Sequence, residues 1–170
     1  MRKQVLGPCC IVRIQSWDDA KLAPSAVESM FGVSWLRKTG SLASGRVEVI
    51  CVGPTDWLVL ATESEATAWL DRPAAAFATD PFRATNVSDA LARIEIEGPE
   101  VRDLLSKGCS LDLHPPLFPV GRSARTRLAG TPVIVRSTGT FTVELIITQS
   151  YANYLMAWLE DAELEFQVPA

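Results

Sequence analysis

The stretch ARIEIEGPEVRDLLSKG, residues 92–108, changes its hydrophobic period in the middle. Its first six residues alternate between apolar and polar, which is the pattern of a strand with one buried face. Gly98-Pro99 interrupts the alternation, and Pro99 suits the first position of a helix because the N–H it lacks would have no partner there. The apolar residues that follow are three and four positions apart, as on one helix face: Val101, Leu104 and Leu105. The stretch therefore predicts a strand followed by a short helix that ends at Gly108.

The same strand pattern recurs on both sides of this stretch. Segments that are alternating or apolar and β-branched, bounded by turn residues, predict strands at 9–17, 46–52, 57–62, 123–129, 131–136 and 141–148. The turn GPTD at 53–56 separates two of them and predicts a hairpin.

Three further helices are predicted from their caps and their apolar stripes. Ser25 with Glu28, and Thr62 with Glu65, have the spacing of capping boxes. The first of these helices is expected to end at Gly32, and the second to carry Trp69 and Leu70 toward the core. The last helix is predicted over 150–163 with one apolar stripe, made of Tyr151, Tyr154, Leu155, Trp158, Leu159 and Ala162.

The order strand–helix–strand–strand–helix occurs twice, in pseudo-repeats at roughly 9–80 and 86–165. Antiparallel hairpins with helices on one face of the sheets make an α+β fold. A chain of 170 residues is expected to form one domain, 1–170. The sequence therefore predicts a single α+β domain with two βαββα-type repeats, mainly antiparallel.

Composition argues against membranes and nucleic acids. No segment approaches the roughly 18 consecutive apolar residues of a spanning helix, and the opening MRKQVLGPCC has no apolar core of a signal peptide. The net charge is −4, and the basic groups are small: Arg37, Lys38 and Arg46 in one, Arg122, Arg125 and Arg127 in the other. We expect a cytoplasmic protein that binds neither a membrane nor nucleic acid.

Nucleotide-binding motifs are absent from the sequence. No two of the ten glycines are separated by a single residue, so the GxGxxG fingerprint cannot occur. Gly40 and Gly45 have the spacing of a P-loop, but Arg46 and Val47 replace the lysine and hydroxyl that the phosphates and magnesium require. The segment is better interpreted as a flexible hairpin or connection, and no cofactor is predicted on this chain.

The segment GCSLDLHPPLFPVG, residues 108–121, raises the question of catalysis. Cys109, His114 and Asp112 are the residue types of a nucleophile, a base and an orienting acid. Their closeness in sequence and the three prolines that follow disfavour a catalytic triad. A zinc site is also disfavoured, because Cys9, Cys10, Cys51 and Cys109 have no CxxC spacing.

A rigid connection is the favoured interpretation of this segment. Its apolar residues could cover the core or a partner, and a loop stiffened by proline loses little entropy on docking. The candidate partner interface consists of Leu113, His114, Leu117 and Phe118.

Four segments resemble the gamma subunit of heterotetrameric sarcosine oxidase. They are GPTDWLVL (53–60), NVSDALARIEIEGPEVRDLLSKGCSLDLHPPLFPVG (86–121), ARTRLAGTPVIV (124–135) and FTVELIITQSYANYLMAWLEDA (141–162). The VS…GPE…LL pattern is also similar to the N-terminal part of the folate-binding fold of the glycine-cleavage T-protein.

The resemblance implies a non-catalytic assembly subunit in a complex with alpha, beta and delta chains. Such a complex oxidatively demethylates sarcosine, transfers the methyl carbon to tetrahydrofolate, and releases glycine and hydrogen peroxide. The resemblance places FAD, FMN, NAD, zinc and tetrahydrofolate on the other subunits. It therefore assigns no catalytic, cofactor-binding or metal-binding residue to this chain.

Two alternatives stay open at the level of sequence. Related dehydrogenases of N-methyl amines such as N-methylglutamate use similar gamma chains. A stand-alone folate-binding protein of the T-protein type would share the fold, although Asn86 stands where the related VS motif commonly has Asp.

Overall fold

The computed structural model describes residues 1–17, 40–44, 47–62, 64, 66–67 and 82–166. The chain divides into two compact units. We call Pro8–Ser88 the N-terminal unit, and Met1–Gly7 together with Asp89–Ala170 the C-terminal unit.

The C-terminal unit contains a five-stranded sheet and two helices. Its elements are β1 (Arg2–Val5), β7 (Leu91–Glu97), α1 (Val101–Ser106), β8 (Ser123–Leu128), β9 (Thr131–Gly139), β10 (Thr142–Thr148) and α2 (Ala152–Glu163). The strands lie in the order β1-β7-β10-β9-β8, and all neighbours are antiparallel. Short 3-10 turns at Gln149–Tyr151 and Leu164–Phe166 flank α2.

The N-terminal unit is built around a second five-stranded sheet. Its strands are β2 (Cys10–Ser16), β3 (Gly40–Ser44), β4 (Val47–Gly53), β5 (Asp56–Ala61) and β6 (Phe82–Asn86). They lie in the order β3-β4-β5-β2-β6, again with antiparallel neighbours. A 3-10 turn at Ser88–Ala90 follows β6. The predicted α+β class with mainly antiparallel sheets is confirmed.

Each sheet has its own apolar core on one face. In the C-terminal unit, Ile94 and Leu145 of the sheet and Leu159 of α2 are fully buried in the same cluster. In the N-terminal unit, Ile14 pairs with Trp57 across β2 and β5, and both are buried. Burial alternates along β7, as its sequence pattern predicted, whereas every side chain of β5 and five consecutive side chains of β10 are buried.

The helices differ from the prediction in their ends and in one stripe. Helix α1 begins at Val101 and not at Pro99. Gly98 has a φ of 155°, and the chain is still turning through Glu100. The last helix begins at Ala152, and its buried face consists of Ala152, Leu155, Leu159 and Glu163. Tyr151 and Tyr154 of the predicted stripe are exposed. Leu155 and Leu159 are the centre of the buried face, and Ala152 and Glu163 occupy it in place of the two tyrosines.

Gly108 has a packing role besides ending α1. A Cβ atom at this position would lie 2.6 Å from the Trp158 ring of α2. Gly108 therefore lets the end of α1 approach the indole closely, an explanation that the sequence pattern did not provide.

Three strands were missed by the sequence analysis: β1, β3 and β6. All three lie at sheet edges, where a strand needs fewer apolar residues. Part of the segment interpreted as a flexible hairpin or connection is β3, paired with β4. The helix predicted from Ser25 to Gly32 lies outside the described residues, and so do Glu65, Trp69 and Leu70 of the next one. In the described part of the chain, no helix is long and apolar enough to cross a membrane.

Candidate functional site

The candidate interface loop, residues 108–121, divides into buried and exposed side chains. Leu113 is 4% exposed and Phe118 is 2% exposed, and both belong to the core of the C-terminal unit. Leu117 is 65% exposed, and His114 also lies at the surface. This corrects the assignment of Leu113 and Phe118 to a surface, because their side chains are used to fill the core beneath the loop.

Arg102 of α1 holds the loop in place. Its guanidinium donates to the main-chain carbonyls of Leu113 and Phe118, the second at 3.0 Å. The other terminal nitrogen donates to the Ser137 hydroxyl on β9 at 2.9 Å. Burial lowers the pKa of Arg102, because removal from water disfavours the cation. The planar, forked guanidinium is suited to joining three groups on two segments, which an ammonium could not do with the same geometry.

Main-chain hydrogen bonds complete the rigid loop. The N–H groups of Leu117 and Phe118 both donate to the His114 carbonyl, at 2.9 and 2.8 Å. Gly121, with a φ of 85°, donates to the Ser137 carbonyl at 2.8 Å, and this left-handed conformation favours glycine. The loop is therefore tied both to itself and to β9.

Cys109, Asp112 and His114 have separate local roles. The Asp112 carboxylate accepts a hydrogen bond from the main-chain N–H of His114 at 2.9 Å, which stabilises a turn. The Cys109 thiol is buried and lies 3.8 Å from the Thr126 hydroxyl, and its main chain forms a β-bridge with Leu128. Asp112 is thus hydrogen-bonded to the backbone of His114 and not to its ring, unlike the acid of a catalytic triad.

Metal ligands are also not gathered in the described residues. Over these ranges no group of three His, Cys, Asp or Glu side chains could hold an ion.

Asn86 participates in a local turn of the N-terminal unit. Its side-chain oxygen accepts hydrogen bonds from the main-chain N–H of Ser88 at 3.0 Å and from the Ser88 hydroxyl at 2.6 Å. The Ser88 hydroxyl in turn accepts from the N–H of Ile11 on β2. Through these contacts, Ser88 of the VS motif links the 3-10 turn to β2 of the N-terminal sheet.

Two apolar residues near the loop were not recognised from the sequence as surface residues. Val120 is 57% exposed, and Phe141, in the turn between β9 and β10, is 54% exposed. The sequence pattern assigns Phe141 to a strand, although a large apolar residue beside Gly139 and Thr140 also fits an exposed turn. Leu117, Val120 and Phe141 are thus three exposed apolar side chains of the C-terminal unit.

Comparison with known proteins identifies the family of the chain. The sequence model of the sarcosine oxidase gamma subunit family matches residues 16–165. The chain belongs to this family. Among relatives of the sarcosine oxidase gamma subunit family, the gamma subunit of Corynebacterium sp. (strain U-96) is 31% identical over 144 residues, which cover 84% of this chain and 69% of the relative. The gamma subunit of Arthrobacter sp. is 29% identical over 85% of this chain and 71% of the relative.

Two solved structures share the fold. Heterotetrameric sarcosine oxidase from Corynebacterium sp. U-96, in complex with pyrrole 2-carboxylate, contains a chain that matches with a TM-score of 0.86 and 26% identity, covering 99% of this chain and 86% of that one. The glycine cleavage aminomethyltransferase T of Bartonella henselae matches with a TM-score of 0.61 and 12% identity, over 92% of this chain and 44% of that one. The second likeness shows the fold alone, and it agrees with the expected T-protein-like architecture.

Proposed function

We propose that this chain is the non-catalytic gamma subunit of a heterotetrameric sarcosine oxidase. The observation that carries the proposal is the family match over residues 16–165, together with a fold that superimposes over nearly the whole chain on a chain of a sarcosine oxidase. In this proposal residues 1–170 act in the cytoplasm as a single gamma-subunit domain that assembles with alpha, beta and delta subunits. The complex demethylates sarcosine, passes the methyl carbon to tetrahydrofolate, and releases glycine and hydrogen peroxide.

The proposed role of the chain is structural. FAD, FMN, NAD, zinc and tetrahydrofolate are held by the other subunits. The local contacts of Cys109, Asp112 and Asn86 support this division of labour, because each of these side chains has a packing or turn-forming partner within the chain.

The composition of the native complex tests the proposal. The chain would be tagged at its natural expression level and purified gently, and the mass and visible absorbance of the product recorded. We expect larger chains that carry flavin, with sarcosine-dependent hydrogen peroxide production. A colourless species at the mass of one or two copies would contradict the proposal, and binding of folate by that species would favour the T-protein-like alternative. Activity with N-methylglutamate and not with sarcosine would favour the related dehydrogenases.

Substitution of Cys109 separates a structural role from a catalytic one. We expect Cys109→Ser to leave the rate of sarcosine oxidation per assembled complex unchanged, because the thiol only packs beside Thr126. Loss of a nucleophile would instead reduce kcat by orders of magnitude. Cys51→Ser, which alters a buried cysteine of the N-terminal unit in the same way, is the matched control. A selective loss of turnover in the Cys109 variant would contradict the proposal.

A further inference from the structure

Strand β1 buries little apolar surface on the C-terminal unit. It pairs with one neighbour, β7, and forms an edge of the sheet. Arg2 and Val5 at its two ends are exposed, and the side chains between them are only partly buried. Met1, which precedes the strand, packs against the core but is also only partly buried. A segment that buries so little apolar surface opens locally at a low cost in free energy, so its polar contacts decide how firmly it is held.

Glu163 binds this strand from the end of α2. Glu163 is 5% exposed, and its carboxylate accepts hydrogen bonds from the Lys3 ammonium and from the main-chain nitrogen of Met1. The Lys3 side chain is itself only 10% exposed. The ion pair between Lys3 and Glu163 therefore joins β1 to α2 across 160 positions of the sequence, at a place largely shielded from water.

The position of Glu163 in the helix favours a role in binding β1. Glu163 is the last residue of α2, where the main-chain carbonyls carry partial negative charge and a carboxylate is unfavourable. Burial adds a second cost, because an ionised carboxylate removed from water needs charged partners. The last turn, EDAE at 160–163, contains no basic residue. Lys3 of β1 supplies the cation that a carboxylate at this position requires.

The contacts of β1 with its neighbouring strand are less protected. The Gln4 amide donates to the Glu95 carboxylate on β7 at 2.7 Å, and Arg2 lies 3.7 Å from Glu97. Both side chains of the Arg2–Glu97 pair are more than half exposed, so solvent screens their attraction. These contacts support the register of β1 on β7, whereas the shielded contact with Glu163 is the stronger candidate for holding the strand in place.

We propose that β1 and Glu163 form a latch: β1 opens and closes as a unit on an otherwise folded C-terminal unit, and the Lys3–Glu163 ion pair sets how often it opens. β7 stays in place in the open state, because it also pairs with β10 over seven residues and buries Ile94 and Ile96 in the core. Opening converts β7 into the edge of a four-stranded sheet, β7-β10-β9-β8. The latch is a property of this chain and does not depend on the oxidase function proposed above.

Hydrogen exchange of the full chain, resolved to single amides by NMR, tests the latch. A suitable reporter is Leu6, whose N–H donates to the Arg93 carbonyl at 2.9 Å, together with the β1 amides that pair with β7. Glu163→Gln retains the size of the side chain and removes its charge. We expect these amides to exchange about 10-fold faster or more, the effect of losing a hydrogen bond between charged groups. The amides of β9 should keep their wild-type rates, because the rest of the unit stays folded.

Glu165→Gln is the matched control for this substitution. Glu165 lies two residues further along the chain and also binds a lysine, at 2.8 Å, but this partner is Lys107 at the end of α1. The control should leave exchange in β1 unchanged.

A second variant removes the cation of the same pair. We expect Lys3→Met to accelerate exchange in β1 as Glu163→Gln does, and the double variant to be no faster than the faster single variant, because both changes remove one ion pair. Far-UV circular dichroism checks that each variant is folded. If Glu163→Gln does not fold, Lys3→Met carries the measurement, since it leaves α2 unaltered.

Two results would overturn the latch. Equal acceleration in β1 and β9 would mean that the strand opens only when the whole C-terminal unit unfolds. Unchanged exchange of β1 in folded Glu163→Gln or Lys3→Met would mean that the ion pair does not hold the strand.

Discussion

The two units of the chain share one strand arrangement but complete it from different places in the sequence. The order β3-β4-β5-β2 in the N-terminal unit corresponds to β8-β9-β10-β7 in the C-terminal unit, each a three-stranded meander beside the first strand. The fifth strand also occupies the same position in both sheets. In the N-terminal unit it is β6, which pairs with β2, whereas in the C-terminal unit it is β1, which pairs with β7. The comparison shows that the position of an edge strand is retained while the segment that fills it is not.

The correspondence extends to single residues through the strand registers. Ile14 lies opposite Trp57 in the N-terminal unit, and Ile94 lies opposite Leu145 in the C-terminal unit. The residue before each isoleucine is an arginine, and the residue before Trp57 or Leu145 is an acid. The repeat is therefore visible in a side-chain pair as well as in the order of the strands.

Both units use this pair to form an ion pair. Arg13 binds Asp56 through two hydrogen bonds of 2.9 and 2.6 Å, and Arg93 binds Glu144. The hydrogen bond to Asp56 raises the pKa of Arg13, and the charge of the carboxylate adds to the effect. A diagonal contact between the last strand of the meander and the strand beside it thus recurs in the two sheets.

The units differ in how deeply the pair is buried. The Arg13 and Asp56 side chains are 33% and 12% exposed, whereas those of Arg93 and Glu144 are 18% and 2% exposed. Glu144 also has a second cation, Arg136, at 2.7 Å. Asp56 lies opposite Gly53 on β4, whereas Glu144 lies opposite Arg136 on β9, so a residue without a side chain stands where the C-terminal unit has its second arginine. A carboxylate removed further from water requires more positive charge around it.

Removal of the buried carboxylate should have the largest effect. We expect Glu144→Gln to lower the free energy of unfolding by about 3–5 kcal/mol, because Arg93 and the buried Arg136 both lose the carboxylate that they bind. Urea unfolding of the purified chain, followed by far-UV circular dichroism, measures the change. If Glu144→Gln lowers the free energy of unfolding by less than Asp56→Asn does, the difference in burial between the two ion pairs does not matter for stability.

Removal of the second cation should have an intermediate effect. Arg136→Met keeps much of the side-chain volume and leaves Arg93 to neutralise Glu144, as Arg13 binds Asp56 in the N-terminal unit. We expect a loss of about 1.5–3 kcal/mol, typical of a hydrogen bond to a charged group. A double variant with Arg93→Met should cost more than the sum of the single variants, because only the double variant leaves the carboxylate alone; strict additivity would contradict this explanation.

Removal of the less buried carboxylate should have the smallest effect. We expect Asp56→Asn to cost about 1 kcal/mol, because solvent screens the charges at Arg13. Raised salt should reduce this cost, whereas it should change the cost of Glu144→Gln little, since buried charges are screened less. Measurement of both variants at low and high salt checks the contrast. An equal salt dependence in the two would argue that burial does not separate the units.

The candidate site could be predicted only in part. The loop between α1 and β8 was recognised as rigid and apolar from its prolines and leucines. Its side chains have no period, however, so the sequence could not separate the buried Phe118 from the exposed Leu117. Arg102 fixes the backbone of the loop by binding the carbonyls of Leu113 and Phe118. In the sequence, Arg102 is only one polar residue on a helix.

The sequence by itself determined most of the strands, the helices α1 and α2, and the family. These follow from local information, because the apolar period along each segment records which face is buried, and the loop motifs are continuous in the chain. The tertiary structure alone decided which strands are neighbours, that β1 completes the distant C-terminal sheet, and that Arg93 meets Glu144 across 51 positions. The physical reason is that strand pairing joins main-chain groups that are alike in every residue, so partner and register depend on how whole faces pack and not on any local pattern.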